Sequence, residues 1–353
     1  MAKPMHAEKL SYRMNAAYAL SQARDLEQAR DRARQLLEYR GGLGQADIGP
    51  LILPALKAAQ SVLPGFATVD SSLVASIQDL RNNLLDYIAD STRYRPYNVL
   101  LLAPPGSGKS HFINCLAKHV KSAAAIGNLS IESASDVLIY AVNEARNSKA
   151  QDIVPVLFLD EVDSRPSLIP SLLPLLWDGE FFTRGQVLKL GRCIIFCAAS
   201  RPEFRGQGQL TGIAKIEDFL SRFNGGAFEI PPIDNETRRF DRVFIAVQLI
   251  KRRFPWVINV GIGLLQWLAL VPVQHQVRSM EFLVSLIPPI REVIVGIGLG
   301  DGDATQKKII DALSTSDSSG SPLGFHIATE HRTSALELWD MLSRYEEVVQ
   351  ISE

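Results

Sequence analysis

The stretch "LLLAPPGSGKSHFINCLAKHV", residues 100–120, sets an apolar run before a loop of Pro, Gly and Ser, and a helical pattern after it. Backbone N–H groups that point into such a loop, backed by a helix N-terminus, form a phosphate-binding site. Gly106 and Gly108 permit the unusual backbone, Lys109 suits the β- and γ-phosphates, and Ser110 offers a hydroxyl to Mg²⁺. The stretch therefore predicts a strand, a phosphate loop and a helix.

One position departs from the usual phosphate-loop pattern, because Ala103 stands where the first Gly is expected. This position begins the turn and need not touch a phosphate. The alternative interpretation is a glycine-rich turn between a strand and a helix, with a solvated lysine. We expect the nucleotide to be bound by the residues after the turn begins: Pro105, Gly106, Ser107, Gly108, Lys109, Ser110 and His111.

A second apolar run, in "VLFLDEVDS" at residues 156–164, ends in two acidic residues, Asp160 and Glu161. We expect Asp160 to bind Mg²⁺ together with Ser110. We expect Glu161 to lie near the γ-phosphate, where a carboxylate can accept a proton from water. The alternative is an acidic pair that only caps the strand or forms salt bridges.

The core of the chain contains three short, almost wholly apolar runs that each end in polar residues: 97–103, 154–160 and 192–200. Such runs are typical of strands in a parallel sheet that is covered on both faces, where ligands bind at the carboxyl ends. The fold class that follows is α/β, with a P-loop NTPase αβα core built on a parallel sheet, and the pattern before residue 95 predicts a helical N-terminal region.

Composition limits the classes of partner. The 37 basic and 38 acidic residues nearly balance, which disfavours nucleic acid as a partner. Three cysteines without metal-site spacing favour a reducing compartment, and the charged N-terminus argues against a signal peptide, so a cytoplasmic location is expected. The membrane-like stretch at residues 256–273 contains Asn, Gln, Gly and Pro and is predicted to be a buried helix.

At this point the sequence resembles the AAA+ ATPases, over about residues 90–300. The segment "CAASRPEF" resembles the end of the sensor 1 strand, with Ser200 at the polar position. The segment "EDFLSRFNGGAFEIPPID" is similar to the arginine-finger region, with Arg222 at the matching position. The segment "HQVRSMEFLV" resembles the sensor 2 helix of a lid domain, with Arg278 as its arginine.

The resemblance implies a site that two chains share. ATP and Mg²⁺ would bind, Ser200 would help to place the attacking water, and Arg278 would report the nucleotide to the lid. Arg222 would complete the site of a neighbouring subunit in a homo-oligomer, expected to be a hexamer-like ring. Asn128 or Ser130, near the end of the intervening strand, would hold Glu161 inactive, as a polar residue does in many family members.

One segment narrows the resemblance to a subgroup. In "LLPLLWDGEFFTRGQVLKLGRCIIF", a helix that ends at Gly179, the pair Phe181 and Phe182, and a turn at 184–185 predict a hairpin before sensor 1. This is similar to the pre-sensor β-hairpin group, where the hairpin faces a central channel; a plain surface hairpin is the alternative. No "GAFTGA" loop, aromatic pore loop or protease constellation is found, and His326 and His331 are expected at the surface.

The predicted domains are an N-terminal helical region at 1–95, the nucleotide-binding core at 96–235, a helical lid at 236–300, and a linker with a C-terminal helix at 301–353. A basic cluster lies in the lid: Arg238, Arg239, Arg242, Lys251, Arg252 and Arg253. It fits either phosphate contacts or the solvated or subunit-contacting face of a helix. Three functions remain open: ATP-driven remodelling of a protein partner, a nucleotide-gated assembly switch, and a DNA-associated loader.

Overall fold

The structure is a computed structural model. It describes residues 23–40, 52–122, 124–131, 134–149, 153–183, 185–200, 204, 215–287, 326–342 and 348–351. The chain divides into two compact units. The core unit comprises residues 63–66 and 72–232, and the flanking unit comprises residues 1–62, 67–71 and 233–353.

The helices and strands follow the chain in two series. The helices are α1 (residues 23–38), α2 (Ile52–Ala59), α3 (Ser71–Ala89), α4 (Lys109–His119), α5 (Ala134–Lys149), α6 (Ile169–Asp178), α7 (Ile216–Leu220), α8 (Asp241–Arg253), α9 (Ile262–Leu270), α10 (Gln276–Leu286) and α11 (Arg332–Leu342). The strands are β1 (Tyr97–Leu102), β2 (Ala124–Asn128), β3 (Val156–Asp160), β4 (Glu180–Thr183), β5 (Gln186–Lys189), β6 (Ile194–Ala199), β7 (Ala227–Glu229), β8 (Asn259–Gly261) and β9 (Val348–Gln350).

The core unit is built on a parallel sheet of five strands in the order β2-β3-β6-β1-β7. Every residue of β1 and β6 is buried, which is why their sequences are apolar runs without alternation. The register places Leu102 beside Ala199, so the phosphate loop and Ser200 begin at the same edge. The α/β class and the parallel P-loop NTPase core are therefore confirmed.

The predicted hairpin is present between α6 and β6 along the chain. Helix α6 ends at Gly179, whose φ of 69° is left-handed. A Cβ there would lie 2.4–2.6 Å from the backbone of Gly191, so no side chain fits at this position. Phe182 and Val187 are cross-strand partners in β4 and β5, and both are exposed.

The flanking unit has its own apolar core, to which α1, α2, α8, α9, α10 and α11 contribute. Helix α9 is buried along its length except at Leu270, as the prediction of a buried helix for this stretch requires. Among the described residues, no helix combines the length and apolarity that crossing a membrane demands. Within the N-terminal region predicted to be helical, residues 23–38 form a helix, and residues 1–22 lie outside the described residues.

The end of the chain differs from the sequence-based prediction of one long helix. Helix α11 stops at Leu342, and β9 pairs antiparallel with β8, so the unit that contains the predicted lid is not wholly helical. The pair Val348 and Val349 favours a strand because β-branched side chains suit a pleated surface. Trp339 of α11 packs edge-on against Trp267, so this helix belongs to the apolar core of the flanking unit. The linker at 314–324 lies outside the described residues.

The units also divide the chain differently from the predicted domains. Helices α1 and α2 fall in the flanking unit with α8 to α11, whereas nearly all of α3 falls in the core unit. A buried contact explains part of this grouping. The Asp241 carboxylate accepts hydrogen bonds from Val69 N–H at 2.7 Å and from the Thr68 hydroxyl at 2.8 Å. These bonds fasten the segment after α2 to the start of α8.

The basic cluster is not one continuous surface, because Arg238 and Arg242 are buried whereas Arg239, Arg252 and Arg253 are exposed. Phosphate contact by the exposed residues stays a prediction. Arg238 is 1% exposed and pairs with Asp241 at 2.8 Å. Arg242 is buried and donates to the carbonyls of Leu268 and Val271 at the end of α9. Both side chains satisfy groups inside the flanking unit, which is how buried guanidinium groups are accommodated. His326 also departs from the predicted surface position, because its ring is half-buried and stacks on Phe282.

Candidate active site

The phosphate loop has the backbone that its glycines predict. Gly106 and Gly108 adopt φ values of 77° and 89°, and Lys109 begins α4 directly after them. A Cβ on Gly108 would meet no atom within 4 Å, so its conformation, and not crowding, requires glycine. The Ser107 hydroxyl is buried and has no hydrogen-bond partner among the described residues. Open space beside N–H groups and an unsatisfied hydroxyl suit an anionic ligand.

The Lys109 ammonium lies between the loop and β3. It is 8% exposed, 3.7 Å from the Asp160 carboxylate and 3.5 Å from the Ala103 carbonyl. Both contacts are long for hydrogen bonds, and an ammonium has three donors. Lys109 thus keeps donor capacity for a phosphate beside the loop.

The Asp160 carboxylate is largely buried and lies near other carboxylates, which disfavours its charged form. Burial raises its pKa above the ordinary value; Lys109 opposes this rise, whereas the neighbouring carboxylates of Glu161 and Asp163 add to it. A divalent cation would relieve this accumulation of negative charge. Among the described residues no group of three or more His, Cys, Asp or Glu side chains forms a complete metal site.

Glu161 occupies a strained turn at the end of β3. Its φ of 58° is left-handed, which is uncommon for a residue other than glycine. Its N–H donates to the Asp160 carboxylate at 3.0 Å, which stabilises this conformation. Strain of this kind, of order 1–3 kcal/mol, clusters at functional sites. The turn sets the Glu161 carboxylate next to the predicted metal ligand and partly open to solvent.

Asp163 is a site residue that the sequence-based prediction missed. It is 2% exposed, and its carboxylate accepts hydrogen bonds from the Ser200 N–H at 2.9 Å and the Ser200 hydroxyl at 3.1 Å. This bridge joins the turn after β3 to the end of β6. The signal was present as the third acidic residue of "DEVDS", but its partner lies 37 positions away and cannot be read from local pattern.

Two residues that were predicted for the ATP site, Asn128 and His111, have side chains that contact other groups of the chain. Asn128 lies opposite Asp160 in the register, but its side-chain oxygen accepts from the Ser130 N–H at 2.8 Å and the Ser130 hydroxyl at 2.7 Å. The ring of His111 contacts the Gly65 carbonyl at 2.9 Å. For His111, only the backbone N–H is therefore available to a phosphate. The role of Asn128 or Ser130 in holding Glu161 inactive stays a prediction.

The loop that carries Arg222 is fastened to β1. The Asn98 amide, fully buried, donates to the Arg222 carbonyl at 2.9 Å and to the Leu176 carbonyl at 2.6 Å. The Asn98 N–H in turn donates to the Asn224 side chain at 2.8 Å. Gly225 donates to the Asn98 carbonyl at 2.8 Å, and a Cβ on Gly225 would strike Tyr97 and this carbonyl. The strand that enters the phosphate loop therefore also fixes the arginine loop.

The Arg222 side chain is held as firmly as its backbone. Its Nε and Nη2 atoms donate to the Asp218 carboxylate at 3.1 and 2.9 Å. Its guanidinium lies over the Trp177 ring, 4.6 Å from the centroid. Arg278 lies on α10 in the flanking unit. Its sensor role stays a prediction, as do the catalytic roles of Arg222 and Ser200.

The fold and these residues together define the P-loop NTPase class. The site lies at the carboxyl ends of β1, β3 and β6, which is where parallel sheets bind their ligands. It contains the phosphate loop with Lys109, the acidic residues that end β3, and Ser200. Lys109 and the loop N–H groups would hold phosphates, and Ser110 and Asp160 would hold Mg²⁺. The unsatisfied Ser107 hydroxyl and the charge at Asp160 fit both ligands.

Comparison with known proteins gives likeness of fold only. No protein-family model and no curated protein matches the sequence. Similar solved structures include an Hsp104–ADP complex from S. cerevisiae, with 16% identity and a TM-score of 0.38 over 58% of this chain and 40% of that chain. A closed-state reconstruction of Hsp104 with ATPγS and FITC casein has 18% identity and a TM-score of 0.41, over 57% of this chain and 39% of that one.

NtrX from Brucella abortus in complex with ADP is a third similar structure, with 18% identity, a TM-score of 0.42, and coverage of 69% of this chain and 56% of that chain. This chain thus spans between 39% and 56% of the length of the three structures. All three TM-scores are below 0.5 and all three identities are below 20%. We draw no functional conclusion from likenesses this distant, and they do not test the hairpin subgroup.

A first prediction concerns Asp160→Asn. Because burial raises the pKa of Asp160, the folded chain binds more protons than the unfolded chain between the two pKa values, and stability falls as pH rises through that window. Asp160→Asn removes a charge that burial disfavours, so it is expected to raise the denaturation midpoint at pH 7. The gain should shrink as the pH approaches about 4. A midpoint at pH 7 below that of the parent would contradict this.

Proposed function

We propose that the protein is an AAA+ ATPase that binds and hydrolyses ATP at the interfaces of a homo-oligomer in order to remodel a protein partner. The observation that carries the proposal is the placement of Lys109, Asp160 and Glu161 at one edge of the sheet, with the Lys109 ammonium 3.7 Å from the Asp160 carboxylate. A turn without function would require neither the buried ammonium nor the strained Glu161.

Each residue has a role that follows from its chemistry. The loop N–H groups and Lys109 bind the phosphates, and Ser110 and Asp160 bind the metal ion. Mg²⁺, when bound, supplies positive charge that stabilises the transferring phosphoryl group. Glu161 orients water and accepts its proton. Ser200, held by Asp163, borders the same space.

The proposal extends to a second chain through Arg222. A guanidinium is fixed in charge and planar, so it stabilises charge that spreads over phosphoryl oxygens. Acting on a neighbour, Arg222 would make hydrolysis depend on assembly. The hairpin is the proposed contact for a protein partner, because Phe182 and Val187 form an exposed apolar pair on β4 and β5.

The experiment that tests nucleotide binding is Lys109→Ala. We expect this variant to lose ATP binding by about tenfold or more, since it removes a charge-assisted contact worth about 1.5–3 kcal/mol. Binding of a fluorescent ATP analogue measures the change. Lys118→Ala, at the other end of the same helix, is the matched control and should bind as the parent does. Equal affinity in Lys109→Ala would remove the basis of the proposal.

A specific observation favours a second candidate, the nucleotide-gated assembly switch. The Ser200 hydroxyl donates its only proton to Asp163, so while that bond lasts it can accept a hydrogen bond from water but cannot donate one, and this would slow turnover. Assembly with a non-hydrolysable ATP analogue, together with turnover that stays near the uncatalysed rate, would favour the switch over the remodelling enzyme. The burial of Arg238 and Arg242 reduces the basic surface that a DNA-associated loader would use to the exposed Arg239, Arg252 and Arg253.

A further inference from the structure

Three residues of the core unit surround Arg222, and none belongs to the predicted ATP site. Asn98 binds its carbonyl, Asp218 binds one edge of its guanidinium, and Trp177 lies beneath the guanidinium face. We name Asn98, Trp177 and Asp218 the Arg222 cradle. We infer that this cradle positions Arg222 for the phosphates of a neighbouring chain, an inference that rests on the shared site proposed above.

The contacts leave the working part of the side chain open. Asp218 accepts from Nε and Nη2, and among the described residues no acceptor faces the Nη1 donors, which suits an acceptor on a second chain. Arg222 keeps 20% of its side-chain surface exposed, although it makes three kinds of contact. A free arginine side chain loses rotamer entropy when it is fixed. A cradle that fixes it beforehand removes that cost from the reaction.

Trp177 lies at the end of α6 and is 41% exposed, so its ring face is open to the cations beside it. Arg95 also stacks on this ring, with its guanidinium 3.9 Å from the centroid. The ring therefore gathers two cations at one edge of the core unit, which suits a polyphosphate approaching from a second chain.

The backbone side of the cradle explains the buried amide in β1. Asn98 is 0% exposed in a strand otherwise made of apolar and aromatic residues. It bonds the carbonyl of Leu176, next to Trp177, and the carbonyl of Arg222 with one amide group. Asn98 thus ties the ring and the guanidinium that stacks on it to the strand that leads into the phosphate loop.

The test uses Trp177→Ala, because this exposed side chain can be removed without opening the core. We expect kcat for ATP hydrolysis to fall by about three- to thirtyfold with KM unchanged, which corresponds to the loss of one cation–π contact. Trp177→Phe, which keeps a ring face, should restore most of the rate. Tyr140→Ala, which removes an exposed ring from α5, is the matched control and should leave kcat as it is.

Mixing chains separates a role in positioning Arg222 from a role in the chain's own ATP site. Glu161→Gln chains keep an intact arginine, so adding them should raise the rate per Trp177→Ala chain. Arg222→Ala chains bring no arginine and should not raise it. A mixture of Glu161→Gln and Arg222→Ala serves as the control for the shared site. If that control mixture stays inactive, both the proposed shared site and the proposed role of the Arg222 cradle are contradicted. If the control mixture is active but Glu161→Gln chains do not raise the rate of Trp177→Ala chains, the shared site stands and the role of the Arg222 cradle is contradicted.

Discussion

Glu161→Gln is expected to lower kcat for ATP hydrolysis by about 10²–10⁴-fold and to leave ATP affinity nearly unchanged. Gln has the same shape as Glu but cannot accept a proton from water at neutral pH. The strained backbone at φ 58° and the hydrogen bond to Asp160 do not involve the side chain that is changed, so the phosphate loop should remain intact. Steady-state hydrolysis and equilibrium binding of ATP measure the two quantities.

Glu144→Gln, on α5 of the same unit, is the matched control and should hydrolyse ATP at the parent rate. A Glu161→Gln chain that turns over at the normal rate would remove Glu161 from the mechanism. A chain that also loses ATP affinity would instead assign Glu161 to nucleotide binding.

Arg222→Ala is expected to lower kcat by about 10³–10⁵-fold, the range over which an arginine finger acts. ATP binding to the single chain should not change, because Arg222 is held by Asp218 and Trp177 of its own chain and not by the phosphate loop. In the parent protein the rate per chain should rise with protein concentration until assembly is complete. Arg146→Ala, a surface arginine of α5, should retain the parent rate.

Much of the core could be predicted from sequence, because its determinants are local. The alternation-free apolar runs predict buried parallel strands, and Gly106, Gly108 and Lys109 predict the loop by spacing alone. The hairpin was equally readable, since Gly179 ends a helix with a backbone that other residues avoid. In each case the signal lies within a few residues of the structure that it specifies.

The remaining features depend on partners that are distant in sequence. Asp163 becomes a site residue only because the sheet order brings Ser200 beside it. Arg238 belongs by sequence to a basic cluster, but in the fold it is buried and pairs with Asp241, which also binds the segment after α2. The last residues read as a helix until β8 supplies a strand to pair with. Such pairings follow from tertiary contacts, which override local preference.

The central claim, that one ATP site is completed by two chains, is tested most directly by mixing Glu161→Gln and Arg222→Ala chains that are each inactive. One chain contributes an intact arginine and the other an intact phosphate loop and carboxylate. The account predicts that hydrolysis appears on mixing and is greatest near equal amounts of the two chains. A mixture as inactive as its components, although the two chains assemble together with ATP, would contradict the claim.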